Sequence, residues 1–189
     1  TVTVVDFWAY MDRIAKSIAK DSNITINSTQ ASGTTERGEQ YSVKVGNIYK
    51  LRYNGEIRRV RVLGFKHDDL VNTGVYGGSH TKASISFEFL DFMTGDTYMP
   101  MNASNTNSGG WASTKLRTDL NGSGSSIGGL GANLNNKSYI KQVKKKYIPT
   151  YNVASTSTCN DYLWLLAASE IVARNSTSAL YGLAITSEG

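Results

Sequence analysis

The chain has little of what disulfide scaffolds, metal centres and membrane spans are made from. Its 189 residues include a single cysteine, Cys159, which excludes an intrachain disulfide and a cysteine-rich zinc site. The only two histidines, His67 and His80, do not replace the missing thiolates as metal ligands. No apolar run approaches the ~20 residues that a membrane-spanning helix needs. We therefore expect no metal, no cofactor and no insertion into a membrane.

The composition is nevertheless that of a folded chain. Apolar residues make up 40% of the sequence and charged residues 19%, which excludes an intrinsically disordered protein. The net charge of +5 is modest for this length, and the densest basic run is confined to residues 141–146. We therefore expect a compact body that does not bind nucleic acid.

An amphipathic pattern opens the chain. Apolar residues recur at steps of three and four over residues 4–20, and Thr3 is placed to cap this predicted helix. Residues 21–40 are then mostly Ser, Thr, Asn, Gly or charged, which is typical of a polar linker. A tethered helix suits anchoring or self-association, and packing against its own domain stays open as the alternative. The residues predicted to mediate oligomerisation are Val4, Trp8, Met11, Ala15 and Ile18.

From Tyr41 the apolar period changes to two, which predicts antiparallel strands. Asn54-Gly55 separates two of them and is the dipeptide that type I′ hairpin turns favour. After this turn, Arg58, Arg59 and Arg61 alternate with apolar residues, which indicates a strand with one solvated face. The predicted organisation is an N-terminal helix at 1–20, a linker at 21–40 and a loop-rich α+β domain at 41–189.

Residues 98–111 form a predicted loop that is rich in Asn and Ser and ends in an aromatic residue. Gly109-Gly110 permits a tight backbone turn, and burial of the Trp111 ring would anchor the loop to the body. Loops of this composition commonly carry binding sites. The candidate ligand-binding residues are Tyr98, Asn102, Asn105, Asn107, Trp111 and Arg117.

A short helix is predicted after this loop, starting at Ser113 or Thr114 and ending at Asn121-Gly122. Arg117 on this helix is placed to hold loop carbonyls or the carboxylate of Asp161 or Glu170. A second helix is predicted over residues 139–148. It carries an apolar stripe beside the lysine run and is stopped by Pro149. Trp164, which lies between leucines, is predicted to be a core residue.

Three ordered blocks between residues 98 and 171 carry a resemblance to a known family. They are Gly109-Gly-Trp-Ala-Ser-Thr-Lys-Leu-Arg-Thr-Asp-Leu-Asn121, Tyr139-Ile-Lys-Gln-Val-Lys-Lys145 and Asn160-Asp-Tyr-Leu-Trp-Leu-Leu-Ala-Ala-Ser-Glu-Ile171. With the preceding hairpin, residues 41–171 resemble an uncharacterised domain of unknown function found in bacteria and their phages. The resemblance implies an irregular antiparallel sheet with short helices and long loops, similar to C-type-lectin-like domains and the formylglycine-generating-enzyme fold. The chain lacks the paired cysteines and the calcium and sugar motifs of those folds, so neither calcium-dependent sugar binding nor the oxidase reaction is implied.

The residues do not announce a catalytic site. Cys159 lies in a Ser/Thr loop far along the chain from both histidines, and nucleophilic catalysis would need them together. Eleven tyrosines among many Asn, Ser and Gly residues are instead typical of recognition surfaces. We therefore expect a non-catalytic virion module, a phage tail or head-decoration protein that recognises a host-surface glycan or protein. Its N-terminal helix would contact other copies or other virion proteins.

Two alternatives to this virion hypothesis stay open. One is a bacterial cell-surface or accessory protein that binds a small ligand or peptide. The other is a hydrolase whose catalytic residues the sequence pattern does not reveal.

Overall fold

The computed structural model describes residues 6–91, 99–106, 108–123, 126–149 and 155–166. The chain forms two compact units, which we call unit 1 (Thr1–Thr97 and Ala132–Val143) and unit 2 (Tyr98–Gly131 and Lys144–Gly189). The predicted α+β class is confirmed, since an N-terminal helix accompanies several small antiparallel sheets. No helix within the described ranges is both long and apolar enough to span a bilayer.

Unit 1 begins with helix α1 (Phe7–Lys20). The helix is capped by Asp6, whose carboxylate accepts hydrogen bonds from the Trp8 and Ala9 amides at 3.1 and 3.3 Å. The predicted cap, Thr3, lies outside the described residues. The spacing of the buried side chains is the spacing that the sequence pattern predicts for one face of a helix. The buried apolar residues of α1 are Trp8, Met11, Ile14 and Ile18.

This apolar face packs inside unit 1. Strands β1 (Gln30–Thr34) and β2 (Gln40–Lys44) form an antiparallel hairpin in which Ala31 lies opposite Val43. Both of these residues belong to one buried cluster with the face of α1. The buried residues of the cluster are Met11, Ile14, Ile18, Ala31, Tyr41, Val43, Val62 and Phe65.

Two sequence predictions about this region are therefore wrong. Residues 21–40 are not only a linker, because strand β1 lies within them and covers the helix. The predicted oligomerisation residues Trp8, Met11 and Ile18 are buried in their own chain, with 8%, 3% and 0% of their surface exposed. Ala15 is half-buried on the same helix, and Val4 lies outside the described residues. The physical reason is that alternate residues of β1 and β2 supply the apolar area that buries the stripe.

A second sheet of unit 1 has the strand order β3-β4-β6. Strands β3 (Ile48–Tyr53) and β4 (Glu56–Phe65) form the predicted hairpin, with φ angles of 46° at Asn54 and 81° at Gly55. Strand β6 (Ile85–Phe89) pairs antiparallel with β4, and the register shifts between Val62 and Gly64. A two-residue strand, β5 (Asp69–Leu70), lies between β4 and β6 in sequence.

Unit 2 is built from short pieces. A 3-10 turn (Trp111–Ser113) leads into helix α2 (Lys115–Asn121), which confirms the predicted short helix. Of its two predicted start residues, Thr114 is the cap, since its Oγ1 accepts a hydrogen bond from the Arg117 amide at 3.1 Å. Strand β8 (Ser157–Asp161) lies beside β7 (Val143–Tyr147) in a sheet. A further 3-10 turn, Gly129–Asn133, begins in the residue range of unit 2 and ends in that of unit 1, and another, Lys137–Tyr139, belongs to unit 1.

The helix predicted over residues 139–148 is wrong, because β7 occupies residues 143–147 of this range and Tyr139 ends a 3-10 turn. Lys144 and Lys146 are exposed, whereas Val143 is buried and Lys145 and Tyr147 are half-buried. This alternation has period two, the period of a strand. The five residues of β7 fit one face of a strand as well as part of a helical stripe. An apolar pattern this short cannot distinguish a strand from a helix.

Candidate functional site

The centre of unit 2 is a buried carboxylate, Asp161, at the end of β8. Its side chain has no exposed surface, and it receives hydrogen bonds from two of the residues that the sequence singled out. The Trp111 indole N–H donates to Oδ2 at 2.6 Å, and Arg117 Nε donates to Oδ1 at 2.7 Å. These two hydrogen bonds connect strand β8, which ends at Asp161, with the 3-10 turn that holds Trp111 and with helix α2, which holds Arg117. A buried carboxylate is stable only when paired and hydrogen-bonded in this way.

Arg117 does more than neutralise Asp161. Its guanidinium also donates to the carbonyl oxygens of Asn160 at 3.2 Å and Ala112 at 3.4 Å. The planar group thereby spans the 3-10 turn and the end of β8, a use that suits its fixed fork of donors. The predicted contacts of Arg117 with the Asp161 carboxylate and with loop carbonyls are confirmed. Glu170 lies outside the described residues.

Cys159 completes the surroundings of the carboxylate. Its Sγ lies 3.1 Å from Asp161 Oδ2 and 3.7 Å from the Lys145 carbonyl oxygen. Burial, together with the hydrogen bond to the Asp161 carboxylate, raises the pKa of this thiol to about 12. The thiol therefore stays protonated at neutral pH. Because the thiolate is the reactive form, Cys159 is an inert hydrogen-bond donor in this environment.

The two glycines before Trp111 have the conformation that only glycine adopts readily. Gly109 has φ +81°, and Gly110 has φ +56° and ψ −154°. A Cβ atom on Gly110 would lie 2.1 Å from the carbonyl oxygen of Ile148, and one on Gly109 would lie 2.1 Å from Ser113 Oγ. The close approach of the backbone to Ile148 therefore requires glycine. This sets the position from which Trp111 reaches Asp161.

The loop before these glycines is braced by Asn102. The side-chain oxygen of Asn102 accepts a hydrogen bond from the Lys115 amide at 3.2 Å, and its side-chain nitrogen donates to the Thr106 carbonyl oxygen at 2.8 Å. The Leu116 amide donates to the Met101 carbonyl oxygen at 3.1 Å. The loop is thus fixed to the start of α2 as well as to Asp161. We call residues 99–110, excluding the undescribed residue 107, the pinned loop.

The pinned loop presents a run of small, uncharged side chains to solvent. Ser104, Asn105, Thr106 and Ser108 are all exposed, as is Met101 with 44% of its surface. Within the loop, the Thr106 amide donates to the Ser104 carbonyl oxygen at 2.9 Å. The outward side chains therefore sit on a backbone that is itself hydrogen-bonded, and they offer hydroxyl and amide groups in a defined arrangement.

The structure brings some of the predicted ligand-binding residues together, but gives them internal partners. Asn102, Trp111 and Arg117 use their polar side chains to hold the loop, whereas Asn105 is exposed. Tyr98 and Asn107 lie outside the described residues. Ligand binding by any of these residues stays a prediction, and the observed role of the first three is to position the loop.

Sequence reasoning missed Asn121, which it identified only as the end of α2. Asn121 is 6% exposed, its Oδ1 accepts from the Tyr162 and Leu163 amides at 2.9 Å, and its Nδ2 donates to the Leu163 carbonyl oxygen at 2.7 Å. One amide therefore satisfies three backbone groups of the segment after β8.

The predicted core residue Trp164 is only half-buried, and Lys145 Nζ lies 4.5 Å from the centre of its ring.

Unit 1 has polar clusters of its own. Arg13 and Glu39 form a bidentate ion pair, both bonds being 2.7 Å long. Asp68, which is 4% exposed, accepts from Ser86 Oγ at 2.6 Å and lies 3.1 Å from His67 Nδ1. Across the part of the chain that the structure describes, three or more His, Cys, Asp or Glu residues do not converge as a set of metal ligands.

Comparison with known proteins adds no assignment. No protein-family model, no curated protein and no solved structure matches the chain. The likeness to C-type-lectin-like domains therefore stays a prediction, and the α+β architecture and the geometry around Asp161 carry the functional argument.

Proposed function

We propose that this chain is a non-catalytic binding module that presents the pinned loop to a ligand on a host cell surface. The carrying observation is that Trp111 and Arg117 both bond to the fully buried Asp161, which holds an exposed polar loop in one arrangement. A loop ordered before binding loses less conformational entropy when a ligand arrives. Such an arrangement favours recognition over chemistry.

The side chains of the pinned loop point to a neutral, hydroxyl-rich ligand such as a glycan. Residues 99–110 contain no charged residue, and the exposed polar side chains of the described residues are hydroxyls and amides. These groups both donate and accept hydrogen bonds, as do sugar hydroxyls. An anionic or cationic ligand would instead call for a complementary charge in the loop.

The placement in a phage particle rests on the resemblance to a family found in bacteria and their phages. Burial of the α1 stripe removes it as an attachment surface, so the module would attach through another face. Capsid and tail genes beside the coding sequence would support this placement. Neighbouring genes for cell-envelope proteins would favour the bacterial cell-surface alternative.

A glycan array probed with the full chain tests the proposal. The informative variant is Ser104→Ala with Asn105→Ala, because both side chains are exposed on the pinned loop. The matched control is Ser32→Ala with Ser42→Ala, two exposed positions on the β1-β2 hairpin of unit 1. We expect the loop variant to lose binding to the recognised glycans while the control keeps it.

Either of two results would contradict the proposal. One is an array on which the unaltered chain recognises no glycan and no whole bacterial cells. The other is a glycan pattern that is unchanged in the loop variant and lost in the hairpin control, since recognition would then lie in unit 1.

A further inference from the structure

The outer face of the β3-β4 hairpin combines cationic and aliphatic side chains. On this face Ile48 lies opposite Arg61, Lys50 opposite Arg59, and Arg52 opposite Ile57. All six residues are exposed, and the two isoleucines have 56% and 54% of their surface in solvent. We call these six residues the basic sheet face.

The opposite face of the same sheet explains why these residues point outward. Leu51, Tyr53, Val60 and Val62 alternate with them along the strands and are at most 3% exposed. Core packing therefore fixes the register and holds the outer side chains in rows. The two isoleucines are more than half exposed, so the core does not need them, and they lie on either side of the Lys50–Arg59 pair. The face therefore offers aliphatic area beside its cations, and the charges carry the argument for a partner.

The charges on this face are only partly balanced within the chain. Arg59 pairs with Asp91 at 2.6 Å, and Arg61 pairs with Glu88. Lys50 forms no ion pair with any residue that the structure describes, and Arg52 donates only to the carbonyl oxygen of Gly55, at 3.1 Å. Four cations and two neighbouring carboxylates leave an excess of two positive charges. This excess lies between the two isoleucines.

We propose that the basic sheet face docks an acidic segment of another protein, with carboxylates against Lys50 and Arg52 and aliphatic side chains against Ile48 and Ile57. The inference does not depend on the function of the pinned loop. A second copy of this chain is a poor occupant of the face, because the like charges of two such faces would repel each other.

The same features argue against nucleic acid as the occupant. Single strands are bound by aromatic side chains on which bases stack, together with cations along the backbone. The aromatic residues of this sheet lie on its inward face and not on the basic sheet face: Tyr49 and Phe89 pair with Val60, and Phe87 pairs with Val62. Tyr53 and Phe65 are themselves buried. Aliphatic side chains between the cations suit a protein partner instead.

The test is a fluorescence-anisotropy titration of the full chain with a short labelled peptide of alternating glutamate and valine. We expect binding that weakens as salt rises. In the variant Lys50→Glu with Arg52→Glu, we expect affinity to fall about tenfold, because two attractive contacts become repulsive. Lys144→Glu with Lys146→Glu is the matched control, since both lysines are exposed on β7, and it should bind as the unaltered chain does.

Two further variants guard against a folding artefact. Lys50→Gln with Arg52→Gln removes the charges without repulsion and should weaken binding less than the glutamate variant. Ile48→Ser with Ile57→Ser should weaken binding while leaving its salt dependence unchanged, because the charges remain. Thermal unfolding should show that each variant melts as the unaltered chain does.

Several outcomes would overturn the proposal. Absence of peptide binding would do so, as would equal weakening by the Lys50/Arg52 and Lys144/Lys146 variants, which indicates net charge alone. Displacement of the peptide by oligothymidylate, or binding to phosphatidylglycerol vesicles in preference to the peptide, would assign the face to another class of partner.

Discussion

The interior of unit 1 and the interior of unit 2 bury different kinds of side chain. In unit 1 most of the fully buried side chains are apolar, and Ile14, Ile18 and Phe65 have no exposed surface. In unit 2 the deepest described side chain is the carboxylate of Asp161, whereas the buried leucines of α2 keep 9% exposure. Unit 1 buries carboxylates too, at Asp12 and Asp68, but beside an extended apolar cluster.

The difference has consequences for stability and for use. Apolar burial is non-directional, so a well-packed core tolerates modest changes in shape. A buried ion pair with several hydrogen bonds is directional, and it fixes specific segments relative to one another. Within the described part of unit 2, the hydrogen bonds of Asp161 and Asn102 accordingly hold an irregular loop in place.

The first way to test this comparison is to remove the carboxylate at the centre of unit 2. Asp161→Ala leaves Arg117 without its ion-pair partner and the Trp111 indole without its acceptor. We therefore expect the free energy of unfolding to fall by about 4 kcal/mol. Urea denaturation followed by tryptophan fluorescence measures it. The control is Asp119→Ala, which removes a partly exposed ion pair between Asp119 and Lys115 on helix α2. It should change the free energy of unfolding by less than about 0.5 kcal/mol.

The second test removes apolar volume from unit 1. Ile18→Ala truncates a side chain with no exposed surface and leaves a cavity, so we expect the free energy of unfolding to fall by roughly 3 kcal/mol. Lys20→Ala, at an exposed position of the same helix, should have little effect. If Ile18→Ala were tolerated as well as Lys20→Ala, α1 would not be part of the core, and its role as an attachment helix would return. Denaturation by urea gives both values.

The third test separates backbone strain from collision at the pinned loop. Gly110→Ala places a side chain on backbone in a conformation that glycine favours, and it also brings the added Cβ against the Ile148 carbonyl oxygen. We therefore expect the free energy of unfolding to fall by about 2–3 kcal/mol. Gly46→Ala is the matched control, because its φ is +87° but no atom lies within reach of the added Cβ. It should lose only about 1 kcal/mol. Equal losses would mean that the close approach to Ile148 is absent.

The smallest effect concerns pH and the ion pair of unit 1. The hydrogen bond from Arg13 lowers the pKa of Glu39 from its ordinary 4.5 to about 2. The folded state therefore favours the ionised carboxylate, and this contribution is complete above about pH 4.5 and lost as the pH falls towards about 2. Thermal unfolding of the unaltered chain and of Glu39→Gln should differ at neutral pH and converge at the acid end. A difference that grows on acidification would show that Glu39 is not paired.

The sequence predicted the elements that rest on local rules. The Asn54-Gly55 hairpin, the short helix after Thr114 and the Arg117–Asp161 contact follow from turn chemistry, capping and the donor geometry of arginine. The helical stripe of α1 was also evident, but its destination was not, because a pattern shows which face is apolar and not what covers it. The period-two pattern from Tyr41 predicted strand β2 but not its partner, because β1 lies in a polar stretch where a single buried apolar residue, Ala31, does not stand out.

The candidate site could be predicted only in part, for a related reason. Glycines, an aromatic residue and an arginine marked the pinned loop, yet their internal partners depend on which segments the fold brings together. Asn121 satisfies backbone groups about forty residues later, and nothing near it in the sequence indicates this. The strand β7 was mistaken for a helix because five residues with a lysine run fit either period.

The most direct measurement is hydrogen exchange, followed by mass spectrometry, on the unaltered chain and on Asp161→Asn, which keeps the shape of the side chain but removes its charge. If the carboxylate holds the pinned loop, amides of residues 99–117 will exchange faster in the variant, while those of α1 and β4 will keep their protection. Unchanged protection of residues 99–117, or an equal loss in α1 and β4, would contradict the view that this carboxylate organises unit 2.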